Sequence, residues 1–155
     1  MNKLFLLPGF ILLIACGPLD KRRVYEEMVS IPTEGWPAAK SYTFDIPVTD
    51  TSKSYDLMLH LRNSGRYEYS NIWLFIESTS PKGNTLKDTF EISLADDLGR
   101  WKGRGVGDIN NMLVPYKENV LLPVKGVYQV KITQAMREKT LKNVLDLGIR
   151  LQVHK

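Results

Sequence analysis

The sequence predicts an all-β protein, a jelly-roll-like β-sandwich of about seven or eight antiparallel strands. Three observations carry that prediction. Apolar residues recur with period two, the alternating runs are separated by short turn signals, and sustained helical periodicity is nearly absent.

The elements follow in chain order. Lys3, the apolar stretch from Leu4 to Ile14 and the small Ala15 directly before Cys16 read as a secretion signal over residues 1–15. That stretch is interrupted by Pro8 and Gly9 and falls short of the about 20 residues a membrane span needs. Leu13-Ile14-Ala15-Cys16 resembles the lipobox of bacterial lipoproteins, in which the cysteine thiol receives a diacylglyceryl group and becomes the first mature residue. The expected attachment to the membrane is therefore an N-terminal lipid on Cys16, since two or three acyl chains hold firmly where one is marginal. Cys16 is the only cysteine, so the mature domain has no disulfide and depends on packing.

Loss of residues 1–15 removes Lys3 alone, lowering the formal charge from +4 to +3. So mild an excess, on a protein lipidated outside the cytoplasm, gives no reason to expect nucleic acid as a partner. Lys21-Arg22-Arg23 either rests against anionic head groups, where each charge contributes about 1 kcal/mol, or forms a solvated tether. Residues 16–40, with Pro18, Pro32, Gly35 and Pro37 and no sustained apolar period, read as a lipid-anchored tether, leaving 41–155 as the sandwich domain.

Tyr42, Phe44, Ile46 and Val48 alternate with polar residues, as do Tyr55, Leu57, Leu59 and Leu61; each set is a strand with one buried face. Ile72-Trp73-Leu74-Phe75-Ile76 is an unbroken apolar run, expected of a strand covered on both faces or lying under a loop. Phe90, Ile92 and Leu94 mark another strand, Val120 to Leu122 a short one, Tyr128, Val130 and Ile132 the next, and Ile149, Leu151 and Val153 the last. Turns fall at Asn63-Ser64-Gly65, Pro81-Lys82-Gly83-Asn84, Asp96-Asp97-Leu98-Gly99 and Lys125-Gly126. Between Ala135 and Leu145 the apolar residues fit a helical period only loosely, which predicts a loop with at most a helical turn.

Catalytic chemistry is poorly served. Nucleophilic catalysis needs a nucleophile within reach of a base, and the two histidines are the penultimate His154 and the strand-face His60. There is no Gly-x-Ser-x-Gly elbow and no phosphate-cradling glycine loop before a helix. Zinc lacks a set of Cys and His ligands, and Asp96-Asp97, with Asp88 and Asp108, is read as turn chemistry ahead of a calcium site. The expectation is a protein without catalytic residues, metal or cofactor. The more suggestive residues are aromatic and basic. Tyr67 and Tyr69 precede the Ile72–Ile76 run, and Trp101 lies among Arg100, Lys102 and Arg104 in a glycine-rich segment. Extended, that segment puts the three basic side chains on one side and Trp101 on the other. Two readings stay open: these six residues form a surface for a partner or ligand, or Trp101 folds inward to plug the sandwich.

An ordered series of motifs carries a family resemblance. It runs from Tyr55-Asp56-Leu57 and Leu61-Arg62-Asn63 through Tyr67-Glu68-Tyr69-Ser70-Asn71-Ile72-Trp73-Leu74-Phe75 and Gly99-Arg100-Trp101-Lys102-Gly103. It ends in Gln134-Ala135-Met136-Arg137 and Val144-Leu145-Asp146-Leu147-Gly148-Ile149-Arg150. Over about Trp36 to Val153 the chain resembles the gliding-motility lipoproteins GldH of the Bacteroidota, with Asn110 to Glu118 off the pattern. The resemblance implies a non-enzymatic accessory lipoprotein of the cell envelope, serving gliding motility and the type IX secretion apparatus. It implies other gliding or secretion lipoproteins and envelope proteins as partners. Surface lipoproteins of that phylum tend to carry an acidic stretch after the cysteine; Asp20 followed by Lys21-Arg22-Arg23 points instead to the periplasmic side of the outer membrane. The alternative function is a carbohydrate-binding lipoprotein, since jelly-roll sandwiches commonly bind glycans.

Overall fold

A computed structural model describes residues 20–155; the signal segment 1–15 and Cys16 lie outside the described residues. The chain forms β1 (Arg23–Ser30), β2 (Trp36–Pro37), β3 (Ser41–Val48), β4 (Ser54–Ser64), β5 (Asn71–Thr79) and β6 (Thr85–Ser93), then β7 (Arg104–Val106), β8 (Ile109–Leu121), β9 (Gly126–Gln134), β10 (Thr140–Leu141) and β11 (Val144–Val153). One sheet has the order β1-β11-β4-β8-β7 and the other β3-β9-β5-β6, while β2 pairs with β10. Every pairing is antiparallel. Counting only the eight strands of eight or more residues, the sheets read first-eighth-third-sixth and second-seventh-fourth-fifth. This is the double Greek key of a jelly roll.

Register explains which residues face inward. Leu59 lies between Ile149 and Val114, and Leu61 between Leu147 and Met112. Because neighbours on a strand point to opposite faces, Leu59 and Leu61 go to the core while Met58, His60 and Arg62 go outside. Phe44, Ile46, Ile72, Leu74, Ile76, Val130 and Ile132 answer from the other sheet, all buried.

Two sequence expectations need correction. Residues 23–30, assigned to the tether, form β1 along β11, with Tyr25 and Val29 packed on the core. Trp36, also assigned to the tether, is fully buried, and its Nε1–H donates to the Lys40 carbonyl at 2.7 Å. The segment from Ala135 to Asn143 contains no helical turn. The buried Gln134 side chain accepts from the Met136 N–H at 2.8 Å and donates to the Glu138 carbonyl at 2.9 Å, satisfying backbone groups that a helix would pair internally. The segment is then strapped to the start of the domain by Ala38 N–H to the Lys139 carbonyl and by the β2–β10 pair.

Candidate functional site

The loops before β5 and after β6 meet at the end of the sandwich away from where the chain enters β1. The Ser70 carbonyl accepts from the N–H groups of Leu94 and Ala95 at 2.7 and 3.0 Å, fastening one loop to the other. Of the aromatics singled out in the sequence, Tyr67 is buried and donates its hydroxyl to the Asn71 carbonyl at 3.0 Å, with burial raising its pKa. Tyr69 stands edge-on to it, with centroids 5.7 Å apart, and donates to Glu138 at 2.8 Å. That hydrogen bond to a carboxylate raises the Tyr69 pKa. Trp101 is half-buried against the core and bridges Ala95, so it is largely a plug.

The three basic residues separate. Arg100 folds back on Asp96, Nε to Oδ2 at 2.8 Å, inside a turn whose backbone N–H groups also bond the same carboxylate. Hydrogen bonding, led by the Arg100 N–H, lowers the Asp96 pKa. Asp96 is turn chemistry. Lys102 and Arg104 instead line a cleft of about 410 Å³ on the outer face of the five-stranded sheet, with His60, Asn111 and Arg150. Arg150 is paired there with Glu26 at 2.9 Å, and Lys102 Nζ donates to the neutral Ser93 Oγ at 2.6 Å. Among the described residues no Ser, Thr or Cys side chain is hydrogen-bonded to either histidine. His60 bonds Asn111, His154 meets Asp56 at 2.6 Å, and among the described residues no three Cys, His, Asp or Glu side chains converge as a metal site.

The surface that sequence reasoning missed lies on β5. Ile72, Leu74 and Ile76 fill the core, but Trp73 and Phe75 point outward and are 38% and 52% exposed. The run, expected to be covered on both faces or to lie under a loop, is fully covered on one face, with residues 135–138 beside Trp73 on the other. Trp73 stands opposite Glu91, and Phe75 lies between Thr89 and Thr133. The Trp73 N–H donates to Met136 Sδ at 3.3 Å, drawing that side chain beside the indole. Tyr69, Trp73, Ala135, Met136, Arg137 and Glu138 line a shallow groove of about 300 Å³ next to Phe75. Tyr69 thus joins two aromatics that were hidden in the run. The available signal was the alternation within it, aliphatic on one face and aromatic on the other.

The GldH lipoprotein family matches residues 23–151. The chain belongs to that family. A gliding motility lipoprotein GldH of Flavobacterium johnsoniae is 36% identical over 158 residues, covering 97% of this chain and 96% of its own. A gliding motility lipoprotein GldH homolog of Christiangramia forsetii is 36% identical over 147 residues, covering 90% of each. Among solved structures, the VP2 subviral particle of infectious bursal disease virus aligns at 11% identity and a TM-score of 0.35, over 84% of this chain and 30% of that one. Membership of the GldH family makes this a lipid-anchored gliding motility lipoprotein of the cell envelope. The family match begins at Arg23, the first residue of β1.

Proposed function

We propose that this GldH lipoprotein is a non-enzymatic docking subunit of the gliding motility and type IX secretion machinery. It is lipidated at Cys16, sits on the periplasmic side of the outer membrane, and presents the Tyr69–Trp73–Phe75–Met136 face to another envelope protein. The observation that carries this reading is the exposed aromatic pair of β5. Large apolar side chains bordered by Glu91, Arg137 and Glu138 have the composition of an interface centre with a polar rim. Aromatic anchors at such centres each contribute about 2 kcal/mol or more.

Crosslinking in intact envelopes tests it. The double variant Trp73→Ala, Phe75→Ala should lose partner capture at least about tenfold while melting near the parent temperature, because both side chains already face solvent. Capture that survives the change removes this face from the proposal. Saturable glycan binding that disappears in the same variant promotes the carbohydrate-binding alternative.

The anchor has its own test. Cys16→Ser should give a protein that carries no acyl chains and is not cleaved before residue 16, read by membrane extraction and mass spectrometry. Acylation or wild-type fractionation of the variant contradicts the assignment of Cys16.

A further inference from the structure

A second feature lies at the opposite end of the sandwich, where the two sheets part around an apolar cavity of about 720 Å³. Protein interiors close-pack, and voids much larger than a water molecule are few. A space of this size falls instead in the range of ligand pockets, about 300–1,000 Å³. Its wall is Leu57, Tyr116, Val120, Leu122 and Tyr128, all only partly buried, backed by the core residue Val130. Ser80 lines the same space, and its Oγ is buried without a hydrogen-bond partner. Leu86 and Leu121 border it and are 76% and 70% exposed.

The position of the cavity identifies its occupant. The Val153 N–H bonds the Arg22 carbonyl, Val153 pairs with Tyr55, and Tyr55 pairs with Val120. One row across the sheet therefore joins the point where the chain arrives from its lipid anchor to the cavity wall. Three strand spacings, about 14 Å, separate them. An apolar cavity bordered by exposed leucines thus lies at the end of the sandwich where the described chain begins. The turns beside it carry Lys82 and Lys125, for which no ion pair is found among the described residues. The two turns touch: a Cβ on Gly126, at φ +136°, would stand 2.9 Å from the Pro81 Cβ.

We propose that this cavity binds an acyl chain of an anionic phospholipid from the bilayer that the protein is anchored to, with Lys82 and Lys125 beside the head group. The inference uses neither the docking face nor its partner, so either can fail without the other. Since among the described residues every strand and the core lie within residues 23–153, a soluble form beginning at Asp20 is expected to keep the fold. That form is incubated with vesicles of palmitoyl-oleoyl phosphatidylglycerol, re-isolated and weighed by native mass spectrometry. One lipid per chain is expected. Occupancy should fall at least about tenfold in Val120→Trp and in Leu122→Trp, which fill the space, and several-fold in Lys82→Glu with Lys125→Glu. A probe independent of folding variants is cis-parinaric acid, whose fluorescence should rise with the parent protein and be reversed by palmitate. Absence of both signals overturns the proposal, as does an adduct undiminished in filling variants that melt like the parent. Equal uptake from phosphatidylcholine vesicles overturns the anionic head group. Uptake by the soluble form but not by the lipidated full protein overturns the bilayer as source and gives the cavity to the protein's own acyl chains.

Discussion

A chain carrying Leu59→Asp does not fold, whereas its neighbour Met58→Asp does. Leu59 is fully buried on the inner face of β4, between Ile149 and Val114. Aspartate there forfeits about 2–3 kcal/mol of apolar burial and adds the cost of an unpaired buried charge, several kcal/mol more. Together these approach the whole stability of a domain, about 5–15 kcal/mol. Met58 points to the outer face and is only partly buried, so a carboxylate there keeps contact with water and the expected cost is about 1 kcal/mol or less. Urea denaturation of the pair reads the asymmetry directly. Equal losses would mean that β4 is covered on both faces.

Trp36→Ala is expected to cost about 3–5 kcal/mol, the usual penalty for emptying a buried tryptophan site. Its indole packs edge-on to Tyr42 at 5.4 Å and holds the Lys40 carbonyl. The backbone beside it has no slack, since Gly35, at φ +107°, lets the Leu141 carbonyl come so close that a Cβ would meet it at 2.7 Å. A residue in a solvated tether would cost less than about 0.5 kcal/mol. Thermal melting therefore decides whether residue 36 belongs to the packed domain or to a tether.

The physical reasons for what the sequence revealed and concealed are specific. Strands β3, β4, β9 and β11 each have one apolar buried face and one more polar face, and period two reveals such strands directly. The first strand, β1, is an edge: Glu27 stands opposite Ile149 on its inward side, which breaks the alternation. Strand β8 was read only at its end, from Val120, because register shifts against β4 near Leu57 interrupt the period and Pro115 mimics a turn. Of the candidate residues, Tyr69 does reach an exposed aromatic surface. Tyr67 is core, Trp101 is mainly structural, and Arg100 serves a turn. Trp73 and Phe75 escaped because a continuous apolar run reads alike whether its second face is buried or offered to a partner.

The pairing of β1 with β11 also sets a schedule. Of the seven steps between successive long strands, only β5 to β6 stays within one sheet; the other six change sheets. Contacts so distant in sequence form slowly. A chain that emerges from a translocation channel N-terminus first has β1 and β4 outside long before β11, which must lie between them, has left the channel. Until Val153 is through, β1 has no neighbour and β4 has only β8. Topology thus leaves the first strand unpaired through most of export, and the five-stranded sheet closes only when the last residues arrive.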